Sequence, residues 1–228
     1  RAEGFKKGTY LLDPANITIT GNFTPTDVSG LELWLDGSDT STITASSGRV
    51  TKWEDKSGNG FDATITGTKR PETGINTLNG KNVIFFGNGH GMEIDGALDI
   101  DAPSYTFFTL FNRESSSGSG RSIQGRDNNW LIGPYDNNIG HFAGGCVTGV
   151  TCPGTPLTIG QHYITSAVND GLESTFFADS HDITKNSSKV STPGKLGLGV
   201  VGKFGESALG NIPEAIVYNS PLSDAQRN

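Results

Sequence analysis

Short apolar segments separated by glycine, asparagine and proline recur roughly every 8–15 residues, with no helical stretch between them. That rhythm restricts the chain more than any other feature. Gly alone supplies 32 of 228 residues and there is one Met. A helix bundle or coiled coil wants Ala, Leu, Glu and Lys instead. The expected class is therefore all-β, with many short strands and tight turns. A chain of this length buries roughly 70–75% of its unfolded surface, so it needs no metal or disulfide merely to fold.

Alternation places the strands. Leu31, Leu33 and Leu35 are predicted to share one face. Further strands are predicted at residues 49–54, 83–86, 105–111, 130–132, 162–168, 175–177, 196–201 and 212–218. Residues 1–30 read as a separate N-terminal extension and linker, and residues 31–228 as the main domain. Within the extension, Tyr10, Leu11 and Leu12 form one strand, and Ile17 and Ile19 alternate in a second. Asp13-Pro14 breaks them apart. At the other end Ser223-Asp224-Ala225-Gln226 is a capping box. A helix of six residues does not hold itself together, so the natural protein is expected to continue past Asn228.

Charge excludes some partners. The net charge is −7, and no Lys/Arg cluster exceeds Lys69-Arg70, which leaves no basic footprint for nucleic acid. No apolar run approaches the roughly 18–20 residues of a membrane-spanning helix, so no membrane insertion is expected. Cys146 and Cys152 lie in a Gly- and Pro-flanked loop without a neighbouring His. A local disulfide suits them better than zinc, contributing roughly 2.4 kcal/mol and implying an oxidising, extracellular setting. Two free thiols are the alternative. Asn16, Asn22 and Asn186 head N-x-S/T sequons, candidate glycosylation sites that also arise by chance in such a composition.

Leu33-Trp34-Leu35-Asp36-Gly37-Ser38-Asp39, residues 50–60, residues 78–87, residues 105–113, residues 125–130 and the closing residues 212–223 together resemble bacterial laminin-G-like, concanavalin A-like lectin/glucanase domains. The resemblance covers about residues 31–228. It implies a two-sheet antiparallel jelly-roll sandwich from a secreted or cell-surface protein. Residues 8–19 are similar to a phrase of filamentous-haemagglutinin-type adhesins.

Candidate chemistry follows. Laminarinase-type glycoside hydrolases of this fold carry E-x-D-x-x-E, whose spacing lets two carboxylates flank one glycosidic bond. Here Glu93 and Asp95 are present, but the second Glu position holds Leu98. Hydrolysis therefore ranks last, and no catalytic residue is assigned. Asp55-Lys56-Ser57-Gly58-Asn59-Gly60 imitates the start of a calcium loop without its twelfth-position Glu. An Asn-Gly turn explains it more simply. No cofactor is required; Asp36, Asp39 and Asp55 are retained as candidate calcium ligands. For sugar binding, which needs an exposed aromatic, the densest cluster of aromatic, amide and carboxylate groups is Arg126, Asp127, Asn128, Asn129 and Trp130, followed by Tyr135; ordinary loop polarity around a core Trp is the alternative.

The sequence thus points to a non-catalytic extracellular bacterial module for adhesion, binding a glycan or surface protein. The alternative is a fibril subunit whose N-terminal strand pairs with identical neighbours. Hydrolysis is the third reading.

Overall fold

The computed structural model describes residues 23–65, 68–115, 119–150, 154–178 and 183–227. They form an antiparallel β-sandwich. One sheet has six strands in the order Leu31–Asp36, Glu214–Tyr218, Tyr105–Asn112, His162–Asn169, Ser174–Ala178 and Ile183–Ser187. We call it the back sheet. The opposing front sheet has 14 strands. Its centre runs Asn138–Ala143, Trp130–Tyr135, Ile123–Gly125, Gly194–Gly199, Gly91–Ile94, Ala63–Thr64 and Arg49–Trp53.

The core is what period-two alternation demands. Leu33, Leu35, Phe107, Phe111, Tyr163, Phe176, Ala215 and Val217 point inward from the back sheet. Trp53, Met92, Ile94, Ile123, Trp130, Ile132 and Leu198 meet them from the front. Leu31 departs from the expected face. A register shift between Leu31 and Leu33 interrupts the pairing with Glu214–Tyr218. A bulge changes which way the chain presents its side chains. Leu31 instead packs outside the back sheet, with Val28, Phe108, Ile216, Tyr218 and Leu222.

Two short helical pieces close that outer face. A 3-10 turn at Pro25–Asp27 is fixed by the Tyr218 hydroxyl, which donates to the Pro25 carbonyl (2.9 Å). The C-terminal turn Asp224–Arg227 follows the capping signal: the Ser223 amide donates to the Gln226 side chain (3.0 Å). Beyond the outward face of the front sheet, residues 200–209 fold back across the strands. Glycine permits it. A Cβ on Gly91 would overlap the Val200 carbonyl, and one on Gly202 would overlap the carbonyl of Arg126.

Candidate functional site

The residues proposed from sequence to hold a sugar fall on two different sides of the front sheet. Trp130 is fully buried. Its indole N–H donates to the Tyr105 hydroxyl (2.8 Å), and its ring packs against Phe107 at 4.5 Å and His141 at 5.4 Å between centroids. This decides for the alternative and corrects the reading of Trp130 as an exposed stacking platform: it is a core residue. Its neighbours in sequence are turn residues. Asn129 accepts from the Arg121 guanidinium (3.0 Å), Asn128 donates to the Thr192 carbonyl (3.0 Å), and Asp127 sits 3.7 Å from Lys203. Tyr135 lies half-buried at the far end of the strand. Only Arg126 is directed to a cleft-lining carboxylate, as described below.

The three acidic residues proposed for calcium are satisfied by protein donors. The Lys56 ammonium lies 2.8 Å from Asp36 and 2.9 Å from Asp39, occupying the place between them. Hydrogen bonds from Ser41 and Lys56 hold the Asp39 carboxyl down at about 2. Burial pushes Asp36 up, but the bonds from Lys56 and Ser38 outweigh it and leave the carboxyl below its usual value. Asp55 is an internal clasp, accepting from the backbone amides of Trp34 (2.9 Å), Ser57 (2.8 Å) and Phe61 (3.1 Å). Among the described residues no group of three or more His, Cys, Asp or Glu could hold a metal. Millimolar calcium is expected to leave the melting temperature unchanged. A rise of several degrees by scanning fluorimetry, reversed by EDTA, would contradict this assignment.

Tyr10, Leu11, Leu12, Ile17, Ile19, Asn16 and Asn22 lie outside the described residues, as does Cys152. Cys146, in the strand Cys146–Thr148, is disulfide-bonded. Asn186 lies on Ile183–Ser187, the edge strand of the back sheet, in register with Thr175.

Two of the clefts formed by the described residues differ in what their polar groups are free to do. The first lies outside the back sheet and measures about 210 Å³. Phe23, Val28, Phe108, Leu110, Ile164 and Ile216 line it, with Phe23 73% and Ile164 51% exposed. Most of its polar members are already engaged, the buried Thr109 hydroxyl being an exception. Glu214 accepts from the Trp34 indole (2.9 Å), and burial raises its carboxyl above the usual range. Arg227 donates to the Leu222 carbonyl (3.0 Å), pairs with Asp224 (2.6 Å) and lies over the Phe177 ring at 3.9 Å. Tyr218, pushed up to about 12 by burial, is spent on Pro25. Such a surface offers apolar contact and few unspent hydrogen bonds.

The second cleft, about 400 Å³, opens on the outward face of the front sheet. Gly91 and Glu93 form its floor, Thr68-Lys69 and Gly89 one side, and residues 200–202 the other. The sequence folds this way because Met92 and Ile94 turn into the core, so Glu93 between them must turn out. Glu93 lies 2.6 Å from the Arg126 guanidinium and has no other hydrogen-bond partner among the described residues. The Val200 amide bonds the His90 carbonyl (2.9 Å), fixing the cleft wall. This floor is half-exposed, charged and held in place. It can accept hydrogen bonds from hydroxyl groups through the carboxylate.

No protein-family profile matches the chain, and no curated protein matches it in sequence. Solved structures do share its fold. One is domain 4 of AbnA, a GH43 extracellular arabinanase from Geobacillus stearothermophilus, in complex with arabinotriose; it is 14% identical with a TM-score of 0.61, over 86% of this chain and 95% of that one. A Trypanosoma rangeli sialidase is 12% identical with a TM-score of 0.57, over 87% of this chain and 32% of that one. An arabinofuranosidase complexed with arabinofuranosyl-alpha-1,2-xylobiose is 14% identical with a TM-score of 0.56, over 88% of this chain and 58% of that one. These neighbours are glycan-cleaving enzymes or domains of them.

At such identities the likeness shows the β-sandwich fold alone. It nevertheless corrects the functional expectation. The adhesion reading rested on the laminin-G-like resemblance, and its fibril alternative on the strand-like N-terminal segment, which lies outside the described residues. The solved neighbours bring forward the glycoside-hydrolase reading that the sequence ranked last. This chain spans about a third of the sialidase and over half of the arabinofuranosidase, but nearly all of the arabinanase domain.

Proposed function

We propose that this chain is a domain of a glycoside hydrolase and that it holds the enzyme's glycan substrate in the cleft above Glu93. The observation that carries this reading is the match to nearly the full length of domain 4 of the arabinanase, a domain solved with arabinotriose. The cleft supplies matching chemistry: a fixed carboxylate with unspent acceptor capacity, backed by Arg126. Charge-assisted hydrogen bonds of this kind are the strong ones in hydroxyl recognition.

Cleavage needs a second carboxylate on the other side of the glycosidic bond. The E-x-D-x-x-E register does not provide it. Leu98 at the last position is in the core, and Asp95 is drawn back to accept from the Ala97 amide (2.8 Å). The cutting carboxylates are therefore assigned to another part of the enzyme, and this domain to its substrate.

Affinity electrophoresis through gels containing arabinan, xylan or polygalacturonate tests the reading. Retardation by at least one polymer is expected, and Glu93→Gln should weaken it about tenfold. The Glu93–Arg126 pair is partly exposed, so the variant should lose no more than about 1 kcal/mol of stability. Unhindered migration in all three gels would overturn the proposal. Release of reducing ends by the isolated chain would overturn the division of labour.

A further inference from the structure

The glycan cleft does not end at Glu93. Thr68 and Lys69 also line a second opening of about 530 Å³, together with Arg49, Arg70 and His90. The two openings are neighbours that share Thr68 and Lys69 in their walls. Their charges are opposite. At one end stands the Glu93 carboxylate, and at the other three cationic side chains.

The cations differ in how far they are committed. Arg49 pairs with Glu72 at 2.7 Å, across strands that set the two residues in register. Lys69 and Arg70 have no carboxylate partner among the described residues. Lys69 is exposed and lies across the turn at Gly89, where a Cβ would come within 2.6–2.7 Å of its Cδ and Nζ. The glycine therefore makes room for the lysine beside the cleft. His90 adds no charge of its own near neutral pH. Burial, with the fields of Arg49 and Lys69 and against that of Glu72, holds its ring below the usual value. Its Nδ1 is occupied in accepting from the Gly87 amide (2.9 Å).

In a chain of net charge −7, two cations with no carboxylate partner among the described residues, beside a glycan cleft, are a selective arrangement. A lysine and an arginine side by side suit a carboxylate, the first as a point charge and the second as a planar fork. A sugar ring whose carboxylate lies at Lys69-Arg70 would direct hydroxyls along the cleft toward Glu93.

We propose that the cleft is built for an acidic glycan, with Lys69 and Arg70 binding the carboxylate of a uronic-acid residue and Glu93 its hydroxyls. This rests on the reading of the Glu93 cleft as the place of the glycan. It names the substrate class.

Isothermal titration calorimetry with tri-galacturonic acid and with arabinotriose provides the test. The wild-type chain should bind tri-galacturonic acid more tightly. Lys69→Ala with Arg70→Ala should weaken that binding about tenfold or more and flatten its dependence on salt. Lys69 is exposed and Arg70 half-buried without a carboxylate partner among the described residues, so the melting temperature should change little. The paired variant Lys189→Ala with Lys195→Ala makes the same charge change outside the cleft and should bind as wild type. Equal binding of tri-galacturonic acid by the Lys69/Arg70 variant overturns the inference. So does an equal loss in the Lys189/Lys195 control. Binding of arabinotriose alone overturns the acidic class and leaves the glycan-holding domain standing. Binding of neither sugar overturns both.

Discussion

Trp130→Ala is expected to unfold far more easily than the wild type, losing about 3–5 kcal/mol. The indole is wholly enclosed, wedged against Phe107, Tyr105 and His141. Truncation leaves a cavity the size of a bicyclic ring in the middle of the sandwich, and rigid strands on both sides cannot close over it. The Tyr105 hydroxyl keeps two partners after the change: it donates to the Ser191 carbonyl (2.8 Å) and accepts from Asn169 (3.2 Å). The cost is therefore mostly lost packing and not an orphaned polar group. For a chain of this size the melting temperature should fall by roughly 10 °C. Trp130→Phe, which fills much of the space and gives up only the hydrogen bond, should lose about half as much or less. Differential scanning calorimetry of the two variants distinguishes a core from a surface role. A Trp130→Ala protein that melts like the wild type while failing to bind glycan would return the side chain to the surface.

That result bears on how much a sequence of this kind reveals. Strands such as Tyr105–Asn112 and His162–Asn169 are legible because dense alternating apolar residues have one economical use, a half-buried strand. Glu72–Leu78 and Asn138–Ala143 are not legible, since they read Glu-Thr-Gly-Ile-Asn-Thr-Leu and Asn-Ile-Gly-His-Phe-Ala. Their extended form comes from their hairpin partners, Lys81–Phe86 and Trp130–Tyr135, to which the tight turns at Asn79-Gly80 and Asp136-Asn137 join them. Alternation also leaves open which face is the inside. Trp130 and Leu131 could exchange roles on paper; Tyr105 and Phe107, across the sandwich, decide it.

The candidate site follows the same logic. Glu93 and Arg126 are 33 residues apart, and no local motif joins them. A partial signal existed: a lone Glu between Met92 and Ile94 has to face away from the core they enter. Likewise Lys56 stands one residue from Asp55, and its ammonium is the cation that Asp36 and Asp39 were expected to seek. A candidate metal cluster with a lysine in its own sequence neighbourhood should first be tested as an ion-pair network. The Lys69-Arg70 doublet was visible in the sequence, but its placement beside Glu93 depends on the sheet order.

The second large effect is a loss of stability in mild acid. His141 is fully buried on the front sheet, stacked on Phe176 and edge-on to Trp130. Its Nδ1 lies 2.8 Å from the Leu131 carbonyl, which can only accept, so Nδ1 carries the proton. Nε2 is buried with no partner, and a second proton there would place a charge among aromatic rings. Burial accordingly lowers its pKa from 6.5 to about 4. Above pH 6.5 the imidazole is neutral in both folded and unfolded chains, and stability is full. Below it the unfolded chain takes up a proton that the folded chain refuses until about pH 4. Across that window the cost is about 3 kcal/mol at roughly 1.4 kcal/mol per pH unit. His90 and His162 are also lowered by burial and act in the same direction. Urea denaturation at pH 7.5 and at pH 4.5 measures the total, and His141→Asn isolates the share of His141. The amide can still donate toward Leu131 but cannot titrate, so the variant should be less stable at pH 7.5 and visibly less sensitive to acid. An acid-induced loss as large in His141→Asn as in the wild type would show that the buried imidazole is not its source.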